Sequence, residues 1–236
     1  MVIPVNPWSA EEGAKFESWA EQSFSWRYID EPALRSLARE FITDKTVALD
    51  VGCGGGRVIR MLRKLGIPEG ALFALDQNPA SLDIARRLFP NITLFQHDLK
   101  DTPYPAPIKD IDLVTAHQVL QYLTVAEIRN CLAELRHLLK PAGNLLIGLP
   151  HPARVANQAG VSYFTRERNL ISAPWGGLTS SSGLTVSDYV NLVISAGFHL
   201  LRIDEPEITR DGLLDVRALA YSPGPTRLMI LAEASK

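Results

Sequence analysis

The residues best suited to chemistry form one short stretch, Val47-Ala48-Leu49-Asp50-Val51-Gly52-Cys53-Gly54-Gly55-Gly56-Arg57. An apolar run carrying one acid breaks into glycines at 52, 54 and 56, and a helical pattern follows. Glycines in such a turn permit positive φ and let a ligand approach the backbone, because no Cβ stands in the way. The exposed N–H groups that open the next helix favour an anionic group by dipole and by hydrogen bonding. Two common cofactor loops fit poorly. A dinucleotide loop built on Gly52 and Gly54 wants glycine or alanine at 57, where Arg57 stands, and no Gly-Lys-Ser/Thr follows to make a triphosphate loop.

The elements that must hold this loop alternate along the chain. Apolar runs at Val47–Val51, Ala71–Leu75, Ile92–Phe95, Ile111–Ala116 and Leu145–Leu149 predict strands. Between them, Val58, Met61, Leu62 and Leu65 share one helical face, as do Leu82, Ala85 and Leu88, and then Ile128, Leu132, Leu135 and Leu139. Asn78-Pro79 predicts an N-cap with proline at the first helical position. Thr124 and Glu127 match a capping box, and Lys140–Gly143 predicts a turn. Unbroken apolar strands alternating with helices imply a parallel sheet covered on both faces. The rhythm changes over residues 150–184, rich in Pro, Gly and Ser; a connection this long predicts a functional lid or a disordered segment. A helix near Val186–Ala196 and strands at Phe198–Ile203 and Arg227–Ala232 complete the chain, and residues 1–43 predict two helices ahead of the sheet. The expected division is thus an N-terminal helical lid at 1–43, a cofactor core at 44–149, an insertion at 150–184 and a closing part at 185–236, all one domain.

Composition narrows the field. With 236 residues, 46% hydrophobic and 21% charged, the chain can build a real core without metal or disulfide staples. Cys53 and Cys131 make no CxxC or zinc spacing, so a reducing compartment is the simpler expectation. A net charge of −2 without a Lys/Arg run argues against a nucleic-acid partner. No signal-peptide pattern opens the chain and no apolar stretch is long enough to span a bilayer, which makes cytoplasmic the default expectation and a membrane partner unexpected.

Asp50-x-Gly52-x-Gly54-x-Gly56 resembles the first motif of the class I S-adenosylmethionine-dependent methyltransferases. Further positions match. Asp76 ends the second strand, Asp98 follows the third, Asp112-Leu113-Val114 opens the fourth, and Gln118–Leu123 resembles the segment after it. The resemblance covers residues 28–149 well and 186–232 more loosely. It implies an α/β, doubly wound, mostly parallel seven-stranded sheet of Rossmann-like type, with S-adenosylmethionine as cofactor and S-adenosylhomocysteine as product. A carboxylate at Asp76 can accept from both ribose hydroxyls. The resemblance puts Asp98 at the adenine, and Asp50 near the cofactor's ammonium, a favourable pairing in a partly buried site. Gln77, Leu99, Ala116 and Tyr28 complete the expected cofactor set. Each acid also has a plain reading, Asp76 as a helix cap and Asp98 as a solvated loop residue.

In this fold ligands lie at the carboxyl ends of the strands. His117 with Gln118, and His151 with Arg154, should therefore face the reaction, and either histidine could act as base for a hydroxyl or carboxyl nucleophile. The competing readings are that His117 packs on the cofactor and His151 caps a backbone group. All four tryptophans, Trp8, Trp19, Trp26 and Trp175, fall in the N-terminal segment and the insertion. They suggest an aromatic lid, with Trp26, Tyr28, Tyr163 and Trp175 as walls and Tyr122 as a further acceptor-side residue. The absence of Asn/Asp-Pro-Pro-Tyr, of a Pro-Cys nucleophile and of a carboxylate cluster for magnesium leaves methylation of a small molecule, with oxygen slightly favoured and no metal. The rivals are an RNA or protein methyltransferase, a nicotinamide enzyme, and a binding subunit without catalysis.

Overall fold

The computed structural model describes residues 10–235 apart from 21, 222 and 223; Trp8 lies outside the described residues. Seven strands form one sheet in the order β3-β2-β1-β4-β5-β9-β8. The strands are β1 (Ala48–Val51), β2 (Leu72–Asp76), β3 (Thr93–Gln96), β4 (Ile111–His117), β5 (Leu139–Pro150), β8 (Phe198–Asp204) and β9 (Arg227–Ala234). The first five pair in parallel, and β9 inserts antiparallel between β5 and β8. The expected mostly parallel, seven-stranded sheet is present, with the order reversing between β1 and β4, where this class of sheet opens a ligand crevice.

The apolar runs explain this layering. Leu49 and Val51 of β1 pack on one face with Ile128, Leu132 and Leu135 of α5 (Val125–Leu138). Ala48 packs on the other with Leu34 and Leu37 of α2 (Glu31–Ala38) and Ile59 and Leu62 of α3 (Arg57–Lys64). Strands buried on both faces favour apolar runs over alternation, as at Ala48–Leu49 of β1 and Leu113–Val114 of β4, and the polar residues of β4 lie at or near its ends and at Thr115, which donates to Asp50. Asn78 caps α4 (Pro79–Leu88) by accepting from the amides of Ala80 and Ser81, and Thr124 with Glu127 completes the capping box of α5.

Two expectations change. Lys140–Gly143 is not a separate turn: β5 starts at Leu139, and these residues bulge opposite Asp112, since Ile111 pairs with Leu139 and Leu113 with Asn144. Asp112 holds the bulge, its Oδ1 accepting from Lys140 Nζ at 2.7 Å and its Oδ2 from the Val47 amide at 2.9 Å. The insertion, expected as a lid or a disordered segment, has regular structure. It forms α6 (Pro152–Ala159) and a hairpin of β6 (Asn169–Ser172) and β7 (Leu178–Ser181). Proline starts α6, Gly160 ends it at φ +68°, and Gly176 and Gly177 turn the hairpin at positive φ. In the N-terminal segment α1 (Ala10–Ala20) is followed by a π-helical turn at Trp26–Asp30 that runs into α2. No helix among the described residues is long and apolar enough to cross a membrane.

Candidate functional site

The crevice between β1 and β4 opens into a cavity bounded by the strand ends, α1 and the insertion. Its floor is the loop at Gly52–Gly55, one side carries Asp76, Gln77, Asp98 and Leu99, and the other carries His117, Gln118 and Tyr122. Nine of the expected site residues (Gly52, Gly54, Asp76, Gln77, Asp98, Leu99, His117, Gln118 and Tyr122) therefore meet at one place, although they come from the ends of different strands.

The loop is built by hydrogen bonds that require its glycines. The Gly54 amide donates to Asp76 Oδ2 at 2.8 Å while Asp76 Oδ1 accepts from the Asn78 amide at 2.8 Å, so the acid that closes β2 also sets the loop. Gly52 sits at φ +67°, and a Cβ there would lie 2.6 Å from Val119 Cγ2. Burial raises the Asp76 pKa, and the donors at Asn78 and Gly54 oppose that rise. Asp50, expected at the cofactor, lies beneath the loop, 1% exposed and behind the cavity lining. Its Oδ1 accepts from Thr115 Oγ1 at 2.7 Å, its Oδ2 has no partner, and burial pushes its pKa up to about 7. A buried carboxylate oxygen without a donor invites a cationic group.

At the β4 end, His117 is buried and its Nε2 donates to Asp30 Oδ1 at 3.1 Å; the same oxygen accepts from Arg227 Nε at 2.7 Å. Burial opposes the charge on Asp30, yet Arg227 and His117 hold its carboxyl well below the usual range. Burial lowers the His117 pKa against the pull of Asp30, so the ring is neutral at pH 7 with Nδ1 unprotonated. Trp26 backs this pair, its ring edge-on to His117 with centroids 5.5 Å apart. The π-helical turn turns both Trp26 and Asp30 inward, a placement typical of such turns at functional sites.

Other expected residues stand elsewhere. His151 is outside the cavity and both its ring nitrogens are engaged: Nε2 with Glu205 at 2.7 Å, and Nδ1 accepting from the Ala153 amide at 3.2 Å as the cap of α6. The capping reading replaces the base. Arg154 lies over the Tyr221 ring and donates to the Ala220 carbonyl, and Tyr163 OH accepts from the Val186 amide, so both support the fold away from the cavity. Gly56 does not line the cavity; it caps α3 at φ +97°, where a Cβ would strike the Phe89 ring at 2.5 Å. Ala116 is wholly buried within β4, and the Tyr28 ring packs against Phe24. Trp26 stands one layer behind the wall rather than in it. Trp175, at the hairpin tip, meets Phe16 and Trp19 of α1 with centroids 5.1 and 5.5 Å away; of these three rings, Phe16 lines the cavity.

Sequence reasoning missed Glu17, whose Oε1 accepts from the Gly55 amide at 2.7 Å, and Asp30, Arg57, Arg168 and Arg227. Asp30 reaches His117 across 87 positions and Arg227 across 197, which no local spacing can reveal.

The comparisons agree with this geometry. Residues 48–143 match the family model described as a methyltransferase domain. A protein of Streptomyces fradiae, described as an uncharacterized 37.1 kDa protein in a transposon, is 32% identical over 58% of this chain and 42% of its own length. Trans-aconitate 2-methyltransferase of Methylobacterium radiotolerans is 31% identical over 63% of this chain and 54% of its own. The chain thus spans about half the length of the curated relatives it matches. Among solved structures, an S-adenosylmethionine-dependent methyltransferase from Mesorhizobium loti superposes with a TM-score of 0.67 at 20% identity, over 90% of this chain and 99% of that one. One from Clostridium acetobutylicum gives 0.61 at 10%, over 94% and 92%. Both solved structures are described as S-adenosylmethionine-dependent, and the site suits such a ligand: an orphaned acid beneath the loop that favours an ammonium, an acid at the β2 end for vicinal hydroxyls, and a floor whose Gly52 and Gly54 hold positive φ. Residues 48–143 thus match a methyltransferase domain, and the chain has the fold of solved S-adenosylmethionine-dependent methyltransferases.

Proposed function

We propose that the protein transfers the methyl group of S-adenosylmethionine to a carboxylate oxygen of a small molecule. One observation carries this reading. The cavity that holds the glycine floor and Asp76 continues to donors with spare capacity: Gln118 Nε2 is buried without a partner, and Arg168 stands at the mouth. Gln118 holds a left-handed backbone at φ +58°, which few non-glycine residues adopt; such strain is concentrated at functional positions. Arg168 donates through Nη2 to the Tyr122 carbonyl and to Ser180 Oγ, so its guanidinium is anchored with donors left over. Buried and anchored donors of this kind select an anionic oxygen. The trans-aconitate 2-methyltransferases among the relatives support the same acceptor class.

When bound, the cofactor supplies an electrophilic methyl on a sulfonium. The chain has to orient the acceptor, exclude water and leave charges unperturbed. A carboxylate (pKa about 4) arrives ionised at neutral pH and needs no base. Gln118 and Arg168 place it, and Phe16 with Val119 and Leu123 keeps the surroundings apolar. A second reading follows from the His117–Asp30 hydrogen bond, which leaves Nδ1 as a proton acceptor for a hydroxyl nucleophile.

The two readings part at His117→Gln. Carboxylate methylation should keep kcat within several-fold, whereas loss of a general base should lower it by about 10²-fold or more. The function itself is tested by incubating the protein with methyl-labelled S-adenosylmethionine and a panel of small mono-, di- and tricarboxylic acids, phenols and amines. A labelled methyl ester is the expected product. Transfer confined to amines or to macromolecules would overturn the proposal.

A further inference from the structure

Arg57 is a charged side chain on the loop side of the cavity for which no local pattern predicts a role. It opens α3 directly after the glycine turn, is half-buried, and lines the cavity. Its guanidinium centre lies 4.8 Å from the Trp26 ring centroid and 5.1 Å from that of Phe16. A guanidinium offers five N–H donors, and those of Arg57 enter no hydrogen bond or ion pair among the described residues. Burial pulls its pKa below the ordinary value, a sign that water does not take up the charge freely.

The acids near it are all turned elsewhere. Asp30 is held by Arg227 and His117, Glu17 accepts from the Gly55 amide, and Asp50 accepts from Thr115. The aromatic rings fix the guanidinium in place and supply no hydrogen-bond acceptor, which is how a preformed anion receptor is built. Two unsatisfied groups of opposite sign therefore flank the turn: the Asp50 Oδ2 beneath it and the Arg57 fork at its exit. Arg57 lines the cavity and Asp50 is buried behind its lining, so a ligand end held by the guanidinium carries a carboxylate, and the acid beneath favours an ammonium next to it through charge, as in an α-amino acid.

We infer that Arg57 is the receptor for the α-carboxylate at the amino-acid end of the cofactor, with Asp50 favouring the adjacent ammonium. The assignment rests on the reading of the cavity as an S-adenosylmethionine site. It gives Arg57 a role in ligand discrimination that is separate from acceptor recognition, because the acceptor donors Gln118 and Arg168 come from the segments after β4 and before β6.

The test is calorimetric and needs no turnover. Dissociation constants are measured for S-adenosylhomocysteine and for its decarboxylated analogue, S-adenosyl-3-thiopropylamine, on the wild type, Arg57→Met and Arg57→Lys. The wild type should prefer the carboxylated ligand by roughly 10- to 100-fold, the range for hydrogen bonds to a charged group. Arg57→Met should bind both alike, with the analogue's affinity unchanged, and Arg57→Lys should keep part of the preference. A preference that survives in Arg57→Met, or an equal loss for both ligands, overturns the assignment. Should Arg57→Met not fold, a wild type indifferent to the carboxylate overturns it by itself. A wild type that binds neither ligand overturns the cofactor reading, and the assignment with it.

Discussion

The two sides of the cavity are built in opposite ways. On the β1–β2 side, the glycine floor, Asp50 and Asp76 lie within 27 consecutive residues, and distant partners only brace them, Glu17 at Gly55 and Thr115 at Asp50. On the β4 side, His117 depends on Asp30 from the N-terminal segment and on Arg227 from the last strand, while Arg168 and Ser180 come from the insertion. A cofactor shared by a whole family needs only local, repeatable geometry. On the proposed function, the acceptor side is the one built from side chains gathered from distant parts of the chain.

This contrast can be broken most forcefully at Asp30. Asp30→Ala leaves the Arg227 guanidinium buried without its carboxylate, and it should cost about 3–5 kcal/mol of folding stability in denaturant titration. A loss under about 1 kcal/mol would show that the β4 side does not depend on long-range pairing. Asp76→Ala strikes the local side. It should weaken S-adenosylhomocysteine binding by about 1–3 kcal/mol in calorimetry, through the lost ribose contacts and the loosened Gly54 amide. Wild-type affinity in that variant would mean the ribose lies elsewhere.

Titration of Asp50 gives a smaller, signed effect. Its folded pKa, about 7, lies above the unfolded 3.8, so the folded chain binds the extra proton. That contribution to stability is complete below about pH 4 and is lost as pH rises through 7. Ligand-free wild type should therefore lose stability relative to Asp50→Asn between about pH 4 and 7, and binding of an ammonium-bearing ligand should strengthen over the same window. A difference between the two proteins that is flat with pH would refute the buried-acid account. The mildest change is Trp175→Ala, which removes two ring contacts between the hairpin and α1. It should cost about 0.5–1.5 kcal/mol per ring pair at most and raise the acceptor KM while leaving cofactor affinity near wild type. The reverse pattern would place the hairpin on the cofactor side.

The same contrast explains what could be read in advance. The strands and the helix caps at Asn78 and Thr124 follow from periodicity and capping residues, and the floor with Asp76 and Asp98 follows from the resemblance carried by the glycine motif and the acids after β2 and β3. Gly56 looked like its neighbours in that motif, yet Phe89, 33 positions on, decides that it serves packing. His117 and His151 looked equivalent, each following a strand, and only tertiary contacts separate them: one meets Asp30 at the cavity, the other meets Glu205 and caps a helix. The hairpin within 169–181 was hidden because its short strands carry serine, threonine and asparagine rather than an apolar alternation. Arg57 was visible as the residue that spoils a dinucleotide loop, but its bracket of Phe16 and Trp26 was not.

The claim beneath all of this is that the β1–β2 side grips an adenosyl amino acid. Titrating the full chain with S-adenosylhomocysteine and, separately, with NAD tests it most directly. The account predicts saturable heat at one site for S-adenosylhomocysteine and none for NAD. Binding of NAD alone, or of neither, would contradict it.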